Sequence, residues 1–409
     1  MLSYHTCPIA SLEGKETGGM NVYVLELSKA LGLQGFFVDM FTRSQDRRQQ
    51  KEVAVAPHVR LFHLIAGPEK PVAKKALPRY VADFLRSYRS FVSSRSVSYD
   101  VLHAHYYLSG LAGLAIHKSR PRPPLVMTFH TLGLMKNLVA RTPHEQEERT
   151  RIDTEFQLTR KSDHIIATSR FDQAYLEYLY GCPKENVTVG IPGVDTGLFR
   201  PIDQRTARIA IGADRNKQMI LFVGRIEPVK GIDVLMYAVK ILLMRNHRLS
   251  RRVSLWIVGG DVSQKSQLWS REMKKLNELR SLLRIEADIR FVGQKPQKEL
   301  PDYYNAADVL VMPSHYESFG IAAAEAMACG VPVIATNVTG VSGLMDTGED
   351  LITSANNPMK LSDQLETILG DADMRRRISR SVREKAKTLR WENTARIAIA
   401  VYRKLSRHS

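Results

Sequence analysis

Cysteine is scarce in this chain of 409 residues: Cys7, Cys182 and Cys329 are its three, an odd number set far apart. That argues against a disulfide framework and leaves no spacing for a cysteine-bound zinc ion. Long apolar runs are missing too. The longest candidate, residues 321–336, is broken by Glu325 and Pro332, short of the roughly 18 uninterrupted residues that a bilayer-spanning helix needs. The opening residues lack the basic-then-apolar pattern of a secretory signal, so a cytoplasmic protein is expected. Aromatic residues make up only 8%, and the basic clusters Arg47-Arg48, Arg245 to Arg252 and Arg375 to Arg390 carry no interleaved aromatic platforms. With no helix-turn-helix or RNA-binding signature beside them, nucleic acid is not an expected partner. Internal repeats, low-complexity segments and the G-x-G-x-x-G of a nucleotide-sugar epimerase are also lacking.

Positive charge, by contrast, is plentiful. Lys and Arg number 59 against 42 Asp and Glu, a net charge of +17, which fits an anionic partner. Solvated helix faces account for most of the clusters; phosphorylated small molecules or a peripheral membrane contact account for the rest. The length implies two domains of roughly 200 residues each.

Short apolar runs alternate with amphipathic stretches, the pattern of parallel sheets built from βαβ units in an α/β fold. In the first half the expected strands are Phe36 to Phe41, Val101 to His103, Leu125 to Phe129 and His164 to Thr168. Met1 to Tyr4 runs almost directly into His5-Thr6-Cys7-Pro8, leaving room only for a stunted first strand unless residues precede it. A Pro/Gly-rich break, Ile191 to Gly197, marks the expected hinge. A second series follows: Met219 to Val223, Val253 to Val258, Ile289 to Val292, Asp308 to Met312 and Val331 to Ala335. Near the end, Ile397, Val401, Tyr402 and Leu405 form an apolar stripe at helical spacing.

Three segments carry chemistry. Pro313 to Glu325 places Glu317 at a loop-to-helix junction, where unpaired N–H groups favour anionic and hydroxyl-rich ligands. Glu325 lies eight residues on, about 12 Å along a helix. Gly18-Gly19 precedes the helical run Val22 to Leu31, and glycines there let backbone N–H groups approach a phosphate. Gly224-Arg225 and Lys230 lie on a strand-exit loop, where a guanidinium and an ammonium can clamp a diphosphate leaving group. Taken singly, each reads equally as a turn or a pair of surface charges. His103 and His105 have the spacing of a metal pair but no third ligand nearby.

Together these segments resemble the retaining glycosyltransferases of family 4, over essentially the whole chain. The resemblance implies the GT-B fold, two Rossmann-like domains facing a cleft with a C-terminal helix packing back on the N-terminal domain. Residues 1–195, with 391–409, would hold the acceptor, and residues 196–390 the nucleotide sugar. Arg225 and Lys230 would bind the donor diphosphate and Glu317 the donor sugar, with Ser318, Phe319 and Gly320 beside it. Glu325 would contact the ribose, with Arg290 near the base and the Gly19 N–H at the β-phosphate. His130 would stand at the reacting face, a catalytic residue together with Arg225, Lys230 and Glu317.

Within that family the likeness is strongest to the enzymes that glycosylate inositol 3-phosphate at the start of mycothiol synthesis. It rests on Ser3 to Pro8, Gly18 to Tyr23, His105-Tyr106 with Leu108-Ser109-Gly110, and His130-Thr131-Leu132. It implies that Lys74, Tyr106, Thr131 and Arg151 grip an acceptor phosphate, and that His5, Glu16 and Asn21 contact the polyol. The expected partners are therefore a UDP-sugar carrying a hexose or N-acetylhexosamine and a phosphorylated small-molecule acceptor, with no organic cofactor. Sucrose-phosphate synthases, which glucosylate fructose 6-phosphate, share the architecture and are the alternative. A cell-envelope glycan transferase and a homodimer also stay open.

The chain departs from the family in four places. Glu16 stands where Asp is usual, residues 339–343 replace a double-Gly turn, and Val331 replaces Thr. A backbone-carbonyl magnesium site would map onto Tyr304, Asn305 and Ala307, with Asn305 in place of Arg.

Overall fold

The computed structural model of the chain describes residues 1–10, 18–119, 122–262, 265–338, 340–344 and 351–406. In the first half, β1 (Val38–Arg43), β2 (Glu52–Ala56) and β3 (Val59–Leu64) form one ladder in the order β1-β3-β2. A second ladder follows chain order through β4 (Leu102–His105), β5 (Leu125–Thr128), β6 (His164–Ala167) and β7 (Val187–Val189). Leu2 joins them, pairing in parallel with Phe41 on one side and Ala104 on the other. The N–H of Leu2 donates to the His103 carbonyl at 2.8 Å, and that of Ser3 to the Phe41 carbonyl at 2.9 Å. The short first strand expected from the sequence is therefore present, and central.

Alternate residues of these strands enter two different cores, because side chains in a strand point to opposite faces. Leu125, Met127, Ile165 and Ala167 pack on one side. Val126, Ile166, Val38 and Met40 pack on the other, against the helices Gly19–Leu33 and Trp391–Ser406. The C-terminal helix thus closes the first half's core, and its Tyr402 hydroxyl lies 2.7 Å from His103 Nδ1.

The second half holds β8 (Gln218–Val223), β9 (Val253–Val258), β10 (Ile289–Gly293), β11 (Val309–Met312), β12 (Val333–Thr336) and β13 (Ile352–Thr353). They form one parallel sheet in the order β10-β9-β8-β11-β12-β13. Val253, Leu255 and Ile257 of β9 are wholly buried, each contributing about 1.5–3 kcal/mol. Chain order reverses between β8 and β11. Such a switch point opens a crevice beyond the carboxyl ends of the strands. In the first half the reversal falls at Leu2, between β1 and β4.

The chain crosses between the halves twice, side by side. Val194 donates its N–H to the Leu389 carbonyl at 3.0 Å, and a Cβ on Gly193 would lie 2.3 Å from the Trp391 nitrogen.

Two strand expectations need correcting. The run Phe36 to Phe41 starts as a strand only at Val38, because Gly35 takes a φ of 84° and Phe37 is 83% exposed. The strands β2, β3, β7 and β13 were not among those expected; β2 is an antiparallel edge strand whose residues are exposed or half-buried.

Candidate active site

Both switch points open on the same cleft. From the second half, the loops after β8 and β11 form its floor. Gly231 has a φ of 63°, and a Cβ there would lie 2.1 Å from the Pro313 carbonyl oxygen. Only glycine permits that approach, which brings Lys230 to Glu317. The two form an ion pair with side chains only 14% and 17% exposed. Arg225 pairs with Glu227 at 2.7 Å. Burial raises the pKa of Glu227, but Arg225, Lys136, Lys230 and Lys74 outweigh it and hold the carboxyl below its usual range. That carboxylate therefore senses cations from both halves.

Gly18-Gly19 closes the cleft from the opposite side. A Cβ on Gly18 would lie 3.7 Å from the Arg225 side chain, and one on Gly19 3.3 Å from Ile321, the first residue of the helix Ile321–Ala328. The Gly18-Gly19 backbone, at the start of its own helix, thus stands beside Arg225 and Ile321. Gly320 caps the other helix with a φ of 96°, and Phe319 is buried in the core.

Glu325 is buried one turn inside that helix. The Tyr304 hydroxyl donates to its Oε2 at 2.7 Å and Gln297 to its Oε1 at 3.3 Å. Burial pushes its carboxyl up to about 7, against the pull of those two donors.

The first half contributes a second cluster, the one expected to hold the acceptor. Arg151 Cζ lies 4.8 Å from the Tyr106 ring and Lys74 Nζ 4.4 Å from the same ring. Arg151 also donates to the Thr131 carbonyl at 2.9 Å and to its hydroxyl at 3.1 Å. Lys74, Tyr106, Thr131 and Arg151, spread over 78 positions of sequence, are thus one cluster. The loop ahead of Lys74 is held by Arg43, buried, which donates to the Pro68 and Lys70 carbonyls at 2.7 Å each. The His5 ring lies 4.6 Å from that of Tyr106. Burial lowers the pKa of His5, helped by Lys74, His130, Arg151 and Arg225.

Two features set this cluster apart. The Tyr106 hydroxyl and His5 Nδ1 are buried without a hydrogen-bond partner among the described residues, a costly arrangement that a polar ligand relieves. Tyr106 and His130 also hold left-handed backbones, with φ of 74° and 62°. Such conformations cost about 1–3 kcal/mol in non-glycine residues and gather at functional sites.

His130 lies with its Nε2 3.0 Å from His105 Nδ1 and its ring against Tyr23. Burial drives its pKa down to about 3, so it is neutral and able to donate or accept one hydrogen bond. His103 is spent on Tyr402 and Thr128, which disposes of the metal-pair spacing.

Other expected residues stand apart. Glu16 and Thr339 lie outside the described residues. The Asn21 amide is turned inward, donating to the Cys7 carbonyl at 3.0 Å and the Thr6 hydroxyl at 3.1 Å, so it shapes the loop rather than facing the cleft. Arg290 is on the edge strand β10, stacked 4.3 Å over Trp256, and lines a cavity of about 460 Å³ with Lys295 and Tyr303. Of the Tyr304, Asn305 and Ala307 carbonyls, two already accept a hydrogen bond within the fold. The Tyr304 carbonyl accepts from Ala307 and the Ala307 carbonyl from Gln204, while the Asn305 side chain binds Ile202, Arg200 and Pro301.

Sequence reasoning missed Glu147 and Glu155, which flank Arg151 at 2.8 Å each. Glu155 lies four residues on from Arg151 in the helix Arg149–Lys161, a readable signal, whereas Glu147 lies before that helix begins. It also missed Asp172 and Tyr316. Asp172 is buried in the first half with its carboxyl pushed up to about 6 by burial, and Tyr316 reaches it from the second half.

Comparison with known proteins gives a consistent result. Residues 17–198 match the family model "Glycosyltransferase Family 4" and residues 203–385 "Glycosyl transferases group 1". The chain is 35% identical to a D-inositol 3-phosphate glycosyltransferase of Nocardioides sp., covering 99% of this chain and 89% of the relative. It is likewise 35% identical to that of Kribbella flavida, over 98% and 94%. Among solved structures, sucrose-phosphate synthase from Thermosynechococcus elongatus superimposes with a TM-score of 0.88 at 29% identity, covering 100% of this chain and 98% of that one. Anabaena HepE, solved in complex with UDP and glucose, shares the fold at a TM-score of 0.72 and 19% identity, over 96% and 97%.

Proposed function

Because the chain belongs to the family-4 glycosyltransferases of the GT-B fold, we propose that it moves a hexose or N-acetylhexosamine from a UDP-sugar to a phosphorylated polyol such as inositol 3-phosphate, with retention at the anomeric carbon. The observation that carries this is the cluster of Lys74, Thr131 and Arg151 around the Tyr106 hydroxyl, which is buried with no hydrogen-bond partner among the described residues. Two cations and two hydroxyls match a dianionic phosphate, and a guanidinium binds two of its oxygens at once. The names of the curated relatives support inositol 3-phosphate as the acceptor.

In this reading the donor diphosphate lies over Arg225, Lys230 and the Gly19 N–H, with the ribose at Glu325 and the base toward Arg290. Ser318 and Gly320 flank Glu317 at the sugar. The acceptor hydroxyl attacks the anomeric carbon on the face from which the diphosphate departs. The new C–O bond forms as the old one breaks, and the acceptor's proton passes to a leaving phosphate oxygen. Charge on the departing phosphate is carried by prepositioned cations. His130, neutral, orients the sugar at the reacting face. The domain boundary falls at residues 195/196, where the paired crossings let the halves close and exclude water. The cytoplasm, where UDP-sugars are made, is the proposed location.

Fructose 6-phosphate is the second acceptor to test, favoured by the superposition on sucrose-phosphate synthase along the whole chain. A donor-by-acceptor screen decides: UDP- and GDP-sugars against inositol 3-phosphate, fructose 6-phosphate and their unphosphorylated forms. Transfer only from UDP-sugars and only to phosphorylated acceptors is the expected result. Equal use of plain and phosphorylated acceptors overturns it.

A further inference from the structure

We propose that Tyr316 is a positioning residue that ties the donor loop to the acceptor loop across the cleft. The inference rests on the transferase reading above. By sequence Tyr316 belongs to the second half, between β11 and the helix Ile321–Ala328. Its ring is nevertheless only 2% exposed and packs in the first half's core with Phe129, Leu132 and Leu176. Its hydroxyl accepts the Leu132 N–H at 3.0 Å and lies 3.1 Å from Ser318 Oγ and 3.4 Å from Asp172 Oδ1.

Position in the chain gives this hydroxyl its meaning. Tyr316 immediately precedes Glu317, and Leu132 follows His130 and Thr131. One phenol oxygen therefore sets the separation between the sugar-binding carboxylate of one half and the reacting-face residues of the other. Asp172 is fixed for its part, accepting from the Thr168 hydroxyl at 2.8 Å while the Ser169 side chain caps its own N–H at 3.1 Å. The halves also meet nearby through Arg141 and Asp233 at 2.5 Å, so the clamp sets the fine spacing of an interface already formed.

Glycosyl transfer is sensitive to such spacing. Misplacing a reactant by 1 Å can cost about a hundredfold in rate, and water competes for the anomeric carbon when the acceptor is late. Loosening the clamp should shift turnover from transfer toward hydrolysis without weakening either substrate's own contacts.

The experiment uses the full chain and the variants Tyr316→Phe, Asp172→Asn and Asp172→Leu, each first checked for a wild-type melting curve. Amide hydrogen exchange at Leu132 reads the contact without any activity. Losing one hydrogen bond of about 1 kcal/mol, Tyr316→Phe should speed that exchange roughly fivefold. With UDP-sugar and phosphorylated acceptor, the ratio of free sugar to glycosylated acceptor should rise by a similar factor, with both KM values within about twofold. Asp172→Asn keeps an acceptor oxygen and should behave as wild type, while Asp172→Leu should follow Tyr316→Phe. Unchanged exchange at Leu132, or an unchanged ratio of hydrolysis to transfer, overturns the clamp. Faster exchange in a protein whose wild type transfers to no phosphorylated acceptor overturns the transferase reading, and the positioning role with it.

Discussion

Lys230 and Glu317 are ion-paired at the switch point of the second sheet, with both side chains largely shielded from water. Arg225 and Glu227 repeat the arrangement beside them. Each of these two cations is thus matched by a carboxylate. On the proposed reading, donor binding exchanges partners: phosphate takes the cation and frees Glu317 for the sugar hydroxyls.

Arg225→Ala should lower kcat about a hundredfold, the roughly 3 kcal/mol typical of one oriented charge at a leaving group, and leave the melting temperature near that of the wild type. Lys230→Ala should lose as much activity and also some stability, because Glu317 is left shielded and unpaired. Steady-state rates at saturating donor, read beside thermal melts, test both. Near-normal turnover in either variant removes that residue from the leaving-group site.

Lys74→Ala is the cleaner probe of the acceptor phosphate. It should raise the KM for a phosphorylated acceptor at least tenfold, leave donor KM unchanged, and make little difference with the unphosphorylated acceptor. That pattern is the non-additivity expected when residue and phosphate touch. An equal penalty on both acceptors would show that Lys74 works through the fold.

Arg151 serves structure as much as binding. It is 2% exposed between Glu147 and Glu155 and lies over the rings of Tyr106 and Tyr107. Removing one partner of a buried pair costs about 3–5 kcal/mol, so Arg151→Ala should unfold at markedly lower denaturant. Arg151→Ala combined with Glu155→Gln should recover part of the loss. A single variant as stable as the wild type would contradict the burial of this cluster.

Glu325 gives the protein a pH signature. Its carboxyl ordinarily titrates near 4.5 and is pushed to about 7 by burial in the fold, facing Tyr304, Gln297 and Cys329. Between those values the folded state holds a proton that the unfolded state has lost. Stability should therefore fall as pH rises from about 4.5 to about 7, by about 1.4 kcal/mol per unit. Glu325→Gln should flatten that slope. UDP affinity should rise over the upper part of the same window, as the carboxylate forms and accepts from ribose hydroxyls. Denaturant midpoints and UDP titrations at four pH values measure both.

The second half was legible because its central strands are mostly buried: Val253 to Val258 read as a strand to the residue. The first half was harder. An exposed Phe37 extended an apolar run beyond its strand, and β2, although apolar at four of its five positions, is a short edge strand of small Val and Ala side chains, none of them buried. Leu2 lies in the middle of a sheet, yet as a strand it is almost a single bridge. In the site, the motif residues on strand-exit loops were readable because glycines and charges cluster at those loops. Asp172 and Tyr316 were not. Each is one ordinary helix or loop residue, and only the tertiary fold sets them 3.4 Å apart.

The C-terminal helix has a consequence for biosynthesis. Trp391, Ala395, Ala398 and Tyr402 share a core with Tyr23, Leu27, Met40 and Val126. A ribosome therefore delivers the first half's partner only after translating the whole of the second. Until then, the face of the first sheet that residues 391–406 cover has nothing of its own to lie on it. The nascent chain must carry that apolar face through the 195 codons of residues 196–390 before the helix that covers it is made.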